Sequence, residues 1–231
     1  MPQKKWPVFL TSLLFLVICL FATGCARPMK NTVTPEVTAS PKETRQILEE
    51  GNRRFIESAP QAKNLGEEKR RQLTGGQKPI AVVVSCSDSR VPPEHIFDQG
   101  LGDLFVVRVA GNVVSPEVLG SVEYAVEHLR TPLVVVLGHE SCGAVKAAVE
   151  EGHVEGSIAS ITERIRPLAQ EQKARGVKGT ELVESTVDHN IRASLAELKK
   201  SAILRKTLNE GKLQIQGAKY DLDTGKVEWL Q

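Results

Sequence analysis

Three short aliphatic runs constrain this chain of 231 residues more than any other feature. They read IAVVV at 80–84, DLFVVRVA at 103–110 and TPLVVVLG at 131–138. The first and third show no polar alternation and predict strands covered on both faces, and the second predicts a further strand. Helical periodicity fills the spaces around them. SPEVLGSVEYAVEHLR offers Ser115 as an N-cap, Pro116 at the first helical position, and Leu119, Val122 and Val126 on the inward face. GAVKAAVE opens another helix, and two amphipathic stretches, roughly 157–175 and 180–200, are divided near RGVKGT. LQIQGAKYDLDTGKVEWL closes the chain as two strands about the turn DTGK. Together these predict an α/β domain with a central, largely parallel β-sheet flanked by helices. Residues 43–57, ETRQILEEGNRRFIE, predict an N-terminal helical arm with Ile47, Leu48, Phe55 and Ile56 on one face. Gly51 within it points to a close approach by another element. The charged stretch that follows, with TGGQKP, reads as a loop.

Aromatic residues are only 4% of the chain, so aliphatic side chains must build the core. The net charge of +2 comes from Lys4 and Lys5, leaving 28 basic and 28 acidic residues beyond Cys25. That balance gives no electrostatic basis for nucleic-acid binding. The absence of a G-x-G-x-x-G or Walker sequence gives none for nucleotides. Lys4 and Lys5 precede the apolar run VFLTSLLFLVICLFA and then TGC, the layout of a secretory signal. ATGC resembles a bacterial lipobox, with Ala22 where Leu is commoner, and makes Cys25 the candidate lipidation site. An uncleaved membrane anchor is the alternative, and either arrangement puts the domain on the extracytoplasmic side. The expected organisation is a signal over 1–25, a flexible polar tether over 26–42 and one domain over 43–231.

Two cysteines remain in that domain, Cys86 and Cys142. An oxidising compartment makes a disulfide one reading. Their neighbours support another. Cys86 directly follows one buried strand, and GHESCGAV, with His139 and Cys142, follows a second. Ligands in open α/β sheets bind beyond the carboxyl ends of the strands. Two thiolates and an imidazole are a donor set for catalytic zinc, which keeps a fourth position open. Cys142 also begins a predicted helix, whose dipole favours a thiolate there. A disulfide accounts for two cysteines but not for His139, nor for Asp88 and Arg90 beside Cys86.

CSDSR followed by GHESCGA resembles the β-class carbonic anhydrases, with their C-x-D-x-R and H-x-x-C motifs. The resemblance extends from EEGNRRF through CSDSRVPPEHIFDQGLGDLFVVRVAGN and GSVEYAVEHL. It implies one Zn2+ per subunit held by Cys86, His139 and Cys142, and reversible hydration of carbon dioxide to bicarbonate and a proton. By the same resemblance Asp88 orients the reacting water and Arg90 holds Asp88 away from the metal. Gln99 and Gly143 are candidate substrate-site residues, Gln99 across a dimer interface. A homodimer or higher homo-oligomer is implied, with EEGNRRF as an arm over the partner. Relatives that act on carbon disulfide or carbonyl sulfide share this metal core. In one subgroup a tryptophan three positions before the first zinc cysteine serves a bicarbonate-stabilised closed form; Val83 stands there in this chain. Val109 in RVAGN also departs from the Asn of many relatives. His95 is a candidate proton relay, since imidazole titrates near neutrality.

Overall fold

A computed structural model describes residues 39–230 apart from Glu151 and His153. The expected signal segment, Cys25 and the expected tether as far as residue 38 lie outside the described residues. No helix among the described residues is long and apolar enough to cross a membrane.

The aliphatic runs form β1 (Ala81–Ser85), β2 (Leu104–Arg108) and β3 (Leu133–His139), and the C-terminal segment forms β4 (Gln214–Tyr220) and β5 (Val227–Trp229). They make one sheet in the order β2-β1-β3-β4-β5, parallel throughout except for the final antiparallel pair. The strand period of two assigns side chains to opposite layers. Val82 and Val84 of β1 join Val134 and Val136 of β3 in one core, and Cys86 and Cys142 belong to that same cluster. Ala81, Val83, Leu133, Val135 and Leu137 face the other. Val83 is therefore a fully buried sheet residue.

The helices are α1 (Pro41–Ile56), α2 (Glu67–Leu73), α3 (Pro93–Ile96), α4 (Pro116–Glu127), α5 (Gly143–Val149), α6 (Ala159–Ala174), α7 (Gly179–Leu198) and α8 (Ala202–Asn209). Side chains of α4 to α8 pack into the first core, and those of α1 and α3 into the second. Ser115 caps α4 by accepting the Val118 amide, with Pro116 at its start. Val118, Val122, Ala125 and Val126 are its buried residues, and Leu119 is partly buried against the same core.

Helix α1 begins at Pro41, two residues inside the expected tether, because Ser40 and Glu43 form a reciprocal capping box. Its buried face matches the expected one in part: Leu48 is buried and Phe55 packs against the second core. Thr44, Leu48, Gly51 and Asn52 are buried, whereas Ile47 and Ile56 are exposed. Polar Asn52 is drawn inward by the backbone it serves: its amide donates to the Ile96 and Gly225 carbonyls and accepts the Val227 N–H. The helix is thus fastened to its own chain, on α3 and the β4–β5 hairpin. Helix α2 occupies the stretch read as a loop. EEKRRQL has strong helix formers but no buried residue, so it carries no apolar period to detect.

At Gly51 a Cβ would lie 1.8 Å from the Phe97 carbonyl oxygen, so backbone must move to admit any side chain. Gly51→Ala should therefore destabilise the domain by about 3 kcal/mol, at the upper end of overpacking costs, despite alanine's better helix propensity. Urea unfolding of the two proteins measures this, and equal midpoints would refute the packing assignment.

Candidate metal centre

The chain runs from β1 outward to β2, then returns past β1 to β3 on the other side. Neighbouring strands whose connections leave in opposite directions open a crevice at their carboxyl ends. Cys86 is the first residue beyond β1, His139 is the last of β3, and Cys142 is the N-cap of α5. Their ligand atoms all lie within 4.8 Å of one another, and all three residues are buried.

Hydrogen bonding decides the tautomer of a neutral His139 ring. Its Nδ1 lies 2.8 Å from the Glu140 carbonyl oxygen, which only accepts, so Nδ1 carries the proton. Nε2 is left with a lone pair, fully buried and without a hydrogen-bond partner. A bare imidazole nitrogen beside two sulfurs suits a thiophilic cation such as zinc. The donor set fits that metal.

The two sulfurs are 4.0 Å apart. Without a cation they share one proton: the Cys142 thiol holds Cys86 down to about 4 against the opposing effect of burial, with smaller help from the His139 side chain and the Gly111 N–H at 3.3 Å. The thiolate at Cys86 and burial then push Cys142 up. Backbone N–H groups act on both sulfurs: those of Val145 and Ala144 at the start of α5 lower Cys142, and that of Gly111 lowers Cys86.

The spacing of D-x-R has a local cause. Asp88 Oδ1 accepts the backbone N–H of Arg90 at 2.9 Å, a turn that Asp forms two residues ahead of itself. That turn brings the Arg90 side chain back over the same carboxylate. Nε donates to Oδ1 at 3.0 Å and Nη2 to Oδ2 at 2.7 Å. The Arg90 hydrogen bond holds the Asp88 carboxyl well below the usual range, so it stays ionised at any working pH. Oδ2 lies 3.9 Å from His139 Nε2. Asp88 and Arg90 are thus at the mouth of the cluster, with Arg90 half exposed.

Several supporting residues were not singled out from sequence. Arg108, the last residue of β2, donates from Nε to the Cys86 carbonyl at 3.1 Å and from Nη2 to the Asp88 carbonyl at 2.5 Å. Gly111 takes φ 70, and a Cβ there would meet Ile165 and Ala144 at 2.9 and 3.1 Å. Both belong to RVAGN, quoted above only for resemblance. Glu184 accepts the Ser141 N–H at 2.8 Å from 43 residues away, which no local pattern could signal.

The remaining candidates are placed less directly. Gln99 donates its amide to the Phe97 carbonyl and lies against Gly51, within its own chain. A Cβ at Gly143 would meet nothing within 4 Å, so space beside the start of α5 is open. His95 is exposed on α3.

Residues 81–227 match the family model described as carbonic anhydrase. The chain is 44% identical over 188 residues to the carbonic anhydrase of Mycolicibacterium smegmatis, covering 79% of this chain and 90% of that protein. Carbonic anhydrase 2 of Mycobacterium tuberculosis is 42% identical over 186 residues, covering 79% and 89%. Among solved structures, a β-carbonic anhydrase of Aspergillus fumigatus superimposes with a TM-score of 0.67 at 30% identity, over 71% of this chain and 81% of that one. Tetrameric β-carbonic anhydrases of Sordaria macrospora give 0.66 at 28% identity, over 70% and 85%.

In metal-free protein, ultraviolet thiolate absorbance should report one thiolate per chain that persists down to about pH 4. Cys142→Ala removes its main stabilising hydrogen bond and should move that midpoint upward; an unmoved midpoint would show that the sulfurs do not share a proton.

Proposed function

Because the chain belongs to the β-class carbonic anhydrase family, we propose that it hydrates carbon dioxide with one zinc ion per subunit held by Cys86, His139 and Cys142. Carbonic anhydrase activity, the reversible conversion of carbon dioxide and water to bicarbonate and a proton, follows from family membership. The zinc reading rests on one observation above the rest, the bare and buried Nε2 of His139 facing two sulfurs. The chemistry the metal supplies when bound is Lewis acidity that makes water a nucleophile near neutral pH.

The chain's own residues would do the rest. Two thiolates cancel the charge of a dication, and the Asp88–Arg90 pair adds no net charge. Asp88 works as a fixed acceptor. Two ionised oxygens offer about four acceptor sites, and Arg90 fills two on Oδ1 and one on Oδ2. The free site is on Oδ2, the oxygen nearer His139, where it takes the proton side of the attacking water and turns a lone pair toward carbon dioxide. Arg90 keeps the carboxylate from turning onto the metal itself. The open space beside Gly143 accommodates the small substrate.

The enzyme works as a homodimer or larger homo-oligomer in this reading, as the tetrameric Sordaria enzymes do. Gln99 then contributes from a neighbouring subunit, and exposed His95 relays protons to buffer. Lys4 and Lys5, the apolar run and ATGC support an extracytoplasmic enzyme tethered to the membrane through a lipid on Cys25.

Purified protein lacking residues 1–25 should contain one zinc per chain and hydrate carbon dioxide in stopped flow; metal-free protein with a Cys86–Cys142 disulfide would overturn the zinc reading. Asp88→Asn should keep its zinc and lose about 100-fold or more in rate, within the range of positioned proton acceptors. Unchanged turnover would refute its role. Globomycin should block processing of the full-length precursor, and insensitive processing would rule out the lipid at Cys25.

A further inference from the structure

The two residues between His139 and Cys142 decide whether both reach one point, and their conformation is not self-sustaining. Ser141 takes φ 53, a left-handed conformation that favours glycine. Three polar groups around it are held from elsewhere in the fold. The Glu140 N–H donates to the Tyr220 carbonyl at 3.1 Å, and its carboxylate accepts the Leu222 N–H at 2.7 Å. The Ser141 N–H goes to Glu184 of α7.

Glu184 is itself fixed. One carboxylate oxygen, Oε1, accepts Ser141, and the other, Oε2, pairs with Lys219 Nζ at 2.8 Å. Asp188, one turn further along α7, holds the same ammonium at 3.1 Å. Lys219 is on β4 opposite Gly138, the residue before His139. Burial works against its charge, but the two carboxylates more than offset this and raise its pKa. The trio therefore joins α7 to the sheet beside the first ligand and reaches from there to the residue before the second.

We propose that Glu184, anchored by Lys219, is a positioning residue for the metal turn: by accepting the Ser141 amide it holds the left-handed residue that brings Cys142 to the same point as His139. This rests on the zinc reading. Loss of the acceptor leaves a non-glycine residue with no partner for its amide in a disfavoured conformation, and Cys142 is then no longer held 4.0 Å from Cys86.

The test is zinc release from the loaded full domain to a chromophoric chelator, with thiolate-to-cobalt absorption of the cobalt-substituted protein as a second readout. Glu184→Ala should release zinc about tenfold faster or more, the usual cost of losing an outer support of a metal ligand. Its cobalt band should weaken or shift. Glu184→Gln keeps an oxygen acceptor for Ser141 but loses the ion pair with Lys219, so both readouts should fall between those of Glu184→Ala and wild type. Release from Glu184→Ala at the wild-type rate, or equal damage from Gln and Ala, overturns the inference. If Glu184→Ala does not fold, Lys219→Met frees the carboxylate from its anchor and decides the matter: faster release supports the role and unchanged release overturns it. Wild-type protein that takes up no zinc overturns the metal reading itself, and this inference with it.

Discussion

Two sulfurs held 4.0 Å apart in an apolar core are the constraint on which the rest of the site depends. Two negative charges at that distance repel by about 4 kcal/mol even at an effective dielectric of ~20. That is about three pKa units against the second ionisation, before burial is counted. The chain alone therefore settles on one thiolate and one thiol. A dication between them reverses the sign of the interaction and makes both thiolates favourable. The unprotonated nitrogen of His139 completes the donor set, and its tautomer is fixed by a backbone carbonyl rather than by the metal. The site is built for a cation before one arrives.

Such a pair arises from strand order more than from local sequence. In a parallel sheet every strand delivers its carboxyl end to the same edge, and the ends that diverge at a switch point leave room for a ligand. Placing β2 outside β1 and β3 on its other side makes β1 and β3 flank that point. Burial of both sheet faces then fixes which way each residue points. Cys86 continues the side of Val82 and Val84, toward the core that also holds Cys142. Removing the alternation of β1 by one residue would send Cys86 to the other layer.

The strands and the three cluster residues were legible because their signals are local: continuous aliphatic runs, and donors immediately after them. The buried face of α1 was legible at Leu48 and Phe55 but not at the rest. Ile47 and Ile56 look like core residues, yet Asn52 is the one turned inward, because a backbone hairpin 173 residues away needs its amide. Helix α2 escaped for the opposite reason, having no buried side chain at all. Around the site, Arg108 and Glu184 act on backbone atoms of distant segments, and neither spacing nor residue type reveals such a partner in advance.

Asp88 shows how closely the proposed chemistry is balanced. Its Oδ2 lies 3.9 Å from His139 Nε2, so the carboxylate is near enough to compete for the metal it is meant to serve. What opposes that is a fork of two charge-assisted hydrogen bonds plus a backbone amide. A lysine would supply a point charge but not the fork, and a carboxylate with one oxygen unrestrained can rotate. Arg90 is half exposed, so part of its hold is shared with water; the turn at Asp88 is local, and the Arg108 clamp on the Asp88 carbonyl reaches over from the end of β2. The backbone thus fixes where Asp88 stands. Arg90 fixes which of its lone pairs is left over, and that leftover lone pair is the part that can do work on a water.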